Sequence, residues 1–393
     1  MGARESSSRL WVVTGAAGFL GNNVVRELLA KGESVRAAVY MGQEHTGPTP
    51  PVLPPSDKTP PALPPSDKTP PALPPRADSV PPALVDLQDD ENLEIVRIDV
   101  RDLASVQQAF TSSDLPVWVV HCVGIVSIAG KVTPLVEETN VGGTANVVAA
   151  ARSTSVERLA YISSVHAMPE VDGVARELDH SEDFNPDAVH GEYAKTKAAA
   201  TSIVLGATDL WRVVVFPSGM AGHHDFGDTH LTRLVRDAAS GTLFISVKGG
   251  YDFADARDIA EATIAAIEKG HSGRTYLLPG HYCPVSKLVS AVASAQGHFR
   301  PAALPLWIAR TIAPLAELIA LLRGTAPLFT KYSLRVLAEP GRFSSTRARR
   351  ELGYAPRPLQ DTIRDTLDWV TTHPAGRPLI RPSAPLSGRV VFA

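Results

Sequence analysis

Residues Leu10–Arg26 constrain the fold more than any other stretch of the chain. Leu10–Val13 is a short apolar run suited to a buried parallel strand. The next eight residues, Thr14–Gly21, turn the chain through Gly15, Gly18 and Gly21. Beyond them Leu20, Val24, Val25, Leu28 and Leu29 recur at helical spacing, and Gly32 stands where a helix C-cap belongs. A strand, a glycine turn and a helix N-terminus in succession form an anion site, because unpaired backbone N–H groups and the helix dipole converge on one point. The glycine spacing is three and three, not the two and three of the common dinucleotide fingerprint. The flanking strand and helix therefore carry the reading that the turn cradles a dinucleotide pyrophosphate.

The remainder of the chain fits an α/β sheet. Apolar runs at Ser34–Val39, Leu93–Val100, Pro116–Val123, Arg158–Ser164 and Leu210–Pro217 alternate with helical patterns at Leu103–Phe110, Asn140–Ala151 and Tyr193–Leu205. That rhythm predicts a doubly wound parallel sheet covered on both faces, spanning 10–220. Candidate helices Leu288–Ala295, Trp307–Leu322 and Leu359–Val370 predict a smaller, mainly helical substrate lobe over 221–372, with segments returning to the first domain. Between them lies a proline-rich insert at 46–84, in which Pro54–Leu63 is repeated identically as Pro64–Leu73. It has little to bury and is expected to be disordered, as are 1–9 and the tail 373–393.

Bulk properties exclude several classes. At 393 residues the chain accommodates one large domain or two lobes sharing a cleft, and its net charge of −3 gives no reason to expect nucleic acid as a partner. Two cysteines, Cys122 and Cys283, cannot build a disulfide framework, and Met1–Ser8 lacks the apolar core of a secretory signal, so a cytoplasmic setting is expected. The apolar stretch Ala302–Leu322 is interrupted by Arg310 and Glu317 and kinked by Pro305 and Pro314. It reads as a buried or interfacial helix, giving peripheral membrane contact through 302–322 rather than a transmembrane span.

A second constellation carries chemistry. Ser163 and Ser164 end a strand, where sheet ligands bind, and Tyr193 and Lys197 stand one helical turn apart on a shared face that excludes Lys195. A phenol is a poor base at neutral pH, but a nearby ammonium stabilises its phenolate and draws its pKa toward the working range. A strand-end hydroxyl can donate to a substrate oxygen. The ordered set of glycine turn, strand-end serines and Tyr-x-x-x-Lys, on successive units of one sheet, points to an acid/base catalytic site.

These residues resemble the extended short-chain dehydrogenase/reductases, the family of dihydroflavonol reductases, 3β-hydroxysteroid dehydrogenases and nucleotide-sugar epimerases. The likeness runs from about Leu10 to Val370, the insert apart. It implies a Rossmann-type fold that binds NAD(P) through Gly15, Gly18, Phe19, Leu20 and Gly21 at the turn. It further implies Asp99 and Val100 at the adenine, and Cys122, Val123, Gly124 and Asn140 beside the cofactor. Pro217 and Ser218 fall next to the nicotinamide. By the same likeness Tyr193 is the acid/base, Lys197 holds the nicotinamide ribose and tunes Tyr193, and Ser164 polarises the carbonyl, with Ser163 its adjoining rival. Arg342–Ser345, Glu351–Tyr354 and Trp369 resemble the family's C-terminal pattern, and a homodimer is the assembly the resemblance implies.

Departures bear on specificity. The family's NAD-preferring members carry an acid in the place of Val39 and many NADP-preferring members an arginine in the place of Tyr40; this chain has neither. Without the carboxylate, NADP is slightly favoured, with Arg36 and Tyr40 as candidate contacts. Gly222–Asp225, with Asp228 and His230, has the ligand types of a metal cluster but no recognised spacing, and reads as a polar substrate loop with no metal. The apolar Pro305–Leu322 region suits a steroid-, flavonoid- or lipid-like ketone as the small-molecule substrate. The alternative is a nucleotide-sugar epimerase/dehydratase with tightly bound NAD, for which Arg310, Arg323 and Arg342 would have to clamp the diphosphate. A binding protein without catalysis is disfavoured because Tyr193 and Lys197 are both present.

Overall fold

The computed structural model describes residues 9–41, 79–126, 133–169, 178–312, 331–338 and 343–373. Its centre is a seven-stranded parallel sheet in the order β3-β2-β1-β4-β5-β6-β10. The strands are β1 (Leu10–Thr14), β2 (Ser34–Val39), β3 (Leu93–Arg97), β4 (Val117–His121), β5 (Val156–Ile162), β6 (Arg212–Pro217) and β10 (Thr275–Leu278). The order reverses between β1 and β4, which opens a crevice at the C-terminal edge of the sheet.

Strands buried on both faces explain why the sequence shows apolar runs there rather than alternation. Val12, Val119, Leu159 and Val214 point into one core with Phe110 and Ala198. Val13, Val120, Ala160 and Val215 point into the other with Val24, Leu28, Ile259 and Ile264. Helices α1 (Phe19–Ala30) and α7 (Ala256–Lys269) cover the second face. The first is covered by α2 (Leu103–Phe110), α4 (Gly143–Ser153) and α5 (Glu192–Gly206).

The second lobe contains more strand than its sequence suggests. Beside α6 (His230–Ala239), α8 (Val285–Ala295) and helix Leu359–Thr372 stand two small sheets. One joins β7 (Gly219–Ala221), β9 (Gly250–Asp255) and β11 (His281–Pro284); the other pairs β8 (Ile245–Val247) with β12 (Ala302–Leu304). Both escape periodicity analysis because strands of three to six residues give too few alternations to read.

Most of the insert, 46–78, lies outside the described residues, but its final residues fold where none were expected to. Pro82–Leu87 forms a short 3₁₀ turn with Leu84 fully buried in the second core. Arg26 of α1 holds this return in place, donating to both carboxylate oxygens of Asp86 and to the carbonyl of Ala83.

Candidate active site

The turn after β1 has the shape an anion cradle requires. Gly15 takes a left-handed conformation (φ +71°) and its carbonyl accepts from Gly18 N–H at 2.9 Å. A Cβ on Gly21 would stand 2.1 Å from that same carbonyl, so the helix can start this close only with glycine there. Gly18 is the N-cap of α1 and supplies no side chain. Helix geometry therefore leaves the amides of Phe19, Leu20 and Gly21 without intrahelical acceptors, aimed at the crevice. Asn22 and Asn23 turn inward instead: their amides donate to the carbonyls of His224 and His223, tying the loop after β7 to the first turn of α1.

At the outer end of the crevice, Asp99 follows β3 and binds Arg101 through both carboxylate oxygens, at 2.9 and 2.7 Å. That hydrogen bonding holds its carboxyl below the ordinary range. Arg101 also donates to the hydroxyl of Tyr40, which is exposed, and its guanidinium lies over the Tyr40 ring at 5.5 Å. Val100 is buried against α4: its carbonyl accepts from Asn146, and a Cβ on Gly143 would strike its Cγ2 at 2.7 Å. The glycine- and asparagine-rich opening of α4 is thus a clamp on Val100.

Arg36 is not available to the cofactor. It is buried on β2, ion-paired with Glu94 at 2.7 Å, and it donates to the carbonyls of Ala109 and Thr111 at the end of α2. Three residues before Val39, it belongs to the body of the strand and faces α2 rather than the crevice. This corrects the expectation that Arg36 meets the adenosine end, and removes a charge-based reason to favour a 2′-phosphate.

The inner end gathers β4, β5 and α5. Lys197 is 3 % exposed, and its Nζ donates to the carbonyl of Ile162 at 2.6 Å and lies 4.3 Å from the centre of the Tyr161 ring. Burial pulls its ammonium down to about 7, against a smaller opposing effect from Cys122. A Cβ on Gly124 would stand 3.6 Å from Lys197 Nζ and 3.8 Å from Asn140 Oδ1. Asn140 accepts from Ile125 N–H and donates to Thr196 Oγ1. It sits in a π-turn, Glu138–Gly142, that interrupts the helix leading into α4. Cys122 joins this group as a free thiol that burial pushes up to about 12, so it stays protonated beside the lysine. His121 is structural: it shares hydrogen bonds with Thr14 (2.7 Å) and Thr144 (3.2 Å), and burial drops its pKa to about 3.

The two serines divide. Ser163 Oγ lies 2.7 Å from Thr201 Oγ1, which donates to the Lys197 carbonyl, so this side chain faces the interior of α5. Ser164 caps the turn Val165–Ala167, its Oγ accepting from His166 N–H at 3.3 Å. An oxygen engaged as acceptor keeps its own proton for donation to a ligand. Tyr193 is half-buried on the same helix as Lys197, and Lys195 is turned away to Glu192 at 3.1 Å. Pro217 and Ser218 are buried at the end of β6, next to Leu278 of β10.

One feature beside Ser164 was invisible to sequence reasoning. His166 Nε2 and the Tyr251 hydroxyl share a hydrogen bond of 2.7 Å, with the rings stacked. Burial lowers His166 to about 4, so its imidazole is neutral at pH 7. No periodicity or spacing links residues 85 positions apart.

The histidine-rich loop also has a structural explanation. Trp369 Nε1 donates to the Asp225 carbonyl, the rings of His223, His224 and Phe226 pack on Trp369, and Asp225 accepts from Thr229. Among the described residues, no group of three His, Cys, Asp or Glu side chains is placed to hold a metal ion. Arg310 is exposed on the helix that opens at 306, and Arg323 and Arg342 lie outside the described residues.

Comparison with known proteins agrees with this geometry. The profile of the NAD dependent epimerase/dehydratase family matches residues 11–278. "Sterol demethylase protein B" of Methylococcus capsulatus is 28% identical over 366 residues, 91% of this chain and 97% of that protein. "3beta-hydroxysteroid-dehydrogenase/decarboxylase isoform 2" of Arabidopsis thaliana is 30% identical over 76% of this chain and 58% of its own length. Among solved structures, gox2253 superposes with a TM-score of 0.66 at 26% identity, over 93% of this chain and 98% of that one. A UDP-glucuronic acid 4-epimerase from Bacillus cereus in complex with NAD shares the fold, with a TM-score of 0.63 at 16% identity over 92% and 98%.

Proposed function

The chain belongs to the NAD dependent epimerase/dehydratase family and is an enzyme acting on CH–OH groups with NAD(P); from that premise, we propose that it oxidises or reduces a secondary alcohol/ketone on an apolar, sterol-like molecule. The observation that carries the substrate class is the stacked His166–Tyr251 pair beside Ser164, with its imidazole neutral. A diphosphate-sugar calls for cationic forks at such a wall, whereas a fused-ring lipid calls for uncharged aromatic surface. The sterol and steroid names of the two relatives support the same class.

The glycine turn fits a dinucleotide: the amides of Phe19, Leu20 and Gly21 would hold its pyrophosphate, Tyr40 and Asp99 border the adenosine, and Lys197, Asn140 and Gly124 border the nicotinamide ribose. When bound, the nicotinamide supplies the hydride acceptor or donor. Ser164 donates its remaining proton to the substrate oxygen and fixes its position. Tyr193 takes the hydroxyl proton in oxidation and returns it in reduction. Lys197, one helical turn on, stabilises the phenolate when protonated, and the Ile162 carbonyl fixes the direction of its Nζ. The Asn140–Thr196 hydrogen bond holds the π-turn against α5, so both sides of the nicotinamide pocket keep one geometry.

The test is net redox change. Purified enzyme given NAD⁺ or NADP⁺ and a panel of 3β-hydroxysterols and other apolar secondary alcohols is expected to accumulate reduced cofactor. Turnover confined to nucleotide sugars, with no net change in cofactor, would overturn the proposal in favour of an epimerase.

A further inference from the structure

We propose that the β8–β12 corner of the second lobe is a membrane-docking face for an anionic lipid bilayer. Ten large apolar side chains are exposed among the described residues, and five of them, Phe244, Ile245, Phe299, Trp307 and Ile312, belong to this corner. Phe299 is 98% exposed, Phe244 77% and Trp307 68%. Segments more than fifty residues apart are brought together by strand pairing: Ile245 stands opposite Ala302, whose N–H donates to the Phe244 carbonyl at 2.9 Å. At the other end of the pair Lys248 N–H donates to the Leu304 carbonyl, three residues before Trp307.

Charge identifies the occupant. Lys248, Arg300 and Arg310 are all exposed at this corner. No Asp or Glu occurs between Asp237 and Asp252, or anywhere between Glu268 and Glu317. Exposed Phe and Trp beside cations, on segments that carry no acid of their own, match the headgroup region of an anionic leaflet, where aromatic rings anchor and basic side chains meet lipid phosphates. A second copy of the chain suits the face poorly, because a two-fold contact would set cations against cations with no acid on these segments to compensate.

The face stands independently of the substrate assignment. Co-sedimentation with vesicles reads the surface, while turnover of detergent-dispersed alcohols reads the chemistry, so either can fail alone. Full-length protein is mixed with phosphatidylcholine vesicles, with or without about one-third phosphatidylglycerol. The wild type is expected to sediment with the anionic vesicles at least about tenfold more tightly than with the neutral ones, and to be released by salt. Phe244→Ser with Phe299→Ser and Trp307→Ser is expected to weaken binding by about tenfold or more. Lys248→Glu with Arg300→Glu and Arg310→Glu should abolish the preference for anionic lipid. Wild type that stays in the supernatant at every composition overturns the proposal, as does a serine triple variant that still sediments. A serine triple variant that changes oligomeric state while vesicle binding persists assigns the face to self-association instead.

Discussion

At residue scale, the division of labour between Ser163 and Ser164 makes a sharp contrast. Ser164→Ala removes the proton donated to the substrate oxygen and is expected to lower kcat by about 10²-fold. Ser163→Ala breaks only the bond with Thr201, so kcat should stay within a factor of about three, with about 1 kcal/mol of stability lost. Equal losses of activity in both variants would contradict the assignment. Tyr193→Phe is expected to cost about 10²–10⁴ in kcat while cofactor affinity holds. Lys197 gives a pH signature. Its ammonium falls to about 7 in the fold against an ordinary 10.5, so between those values the unfolded chain binds a proton that the folded chain does not. Stability therefore rises with pH across that window, and the penalty is complete below 7. The Tm of Lys197→Met relative to wild type, measured without cofactor, should be highest near or below pH 7 and decline toward pH 10.5. Arg36→Ala should destabilise by about 1–3 kcal/mol, because it leaves the carbonyls of Ala109 and Thr111 without their donor. The NADPH/NADH affinity ratio, read by titration, should not move.

At the scale of elements, Ser164, the serine proposed to donate to the substrate, is linked to a strand from the other lobe. Tyr251 on β9 fixes His166, and the backbone of His166 fixes Ser164. Tyr251→Phe removes the hydrogen bond and keeps the ring, and is expected to lower kcat by about tenfold with cofactor affinity unchanged. An unchanged kcat would show that the lobe does not position the serine. The same scale shows what a sequence can reveal. The β1 turn, the Tyr193/Lys197 face and the strand-end serines were legible because each is local, set by glycine conformation, one helical turn or one strand end. Arg36 was misread because its position on β2 says nothing of the Glu94 carboxylate and α2 carbonyls that claim it. His166–Tyr251 and the β8–β12 pair were invisible because they are contacts between distant segments. Leu84, inside a proline-rich tract, is buried because Arg26 fixes the chain's return.

For the whole molecule, one sheet serves two purposes. In the proposed binding mode its C-terminal edge takes the dinucleotide along the β1–β4 crevice, and its last strands lead into the lobe that presents the aromatic corner. Among the described residues no helix is long and apolar enough to cross a membrane. A surface corner of Phe244, Phe299 and Trp307 would let an enzyme of this build take a sterol-like substrate from a bilayer without spanning it. Hydride exchange with an apolar secondary alcohol is tested most directly by a single-turnover measurement. Enzyme in excess over a 3β-hydroxysterol, with oxidised NAD or NADP, should form one reduced nicotinamide per sterol oxidised, and Tyr193→Phe should form none on the same timescale. Absence of reduced nicotinamide with every apolar alcohol, from enzyme that binds the cofactor, would contradict it.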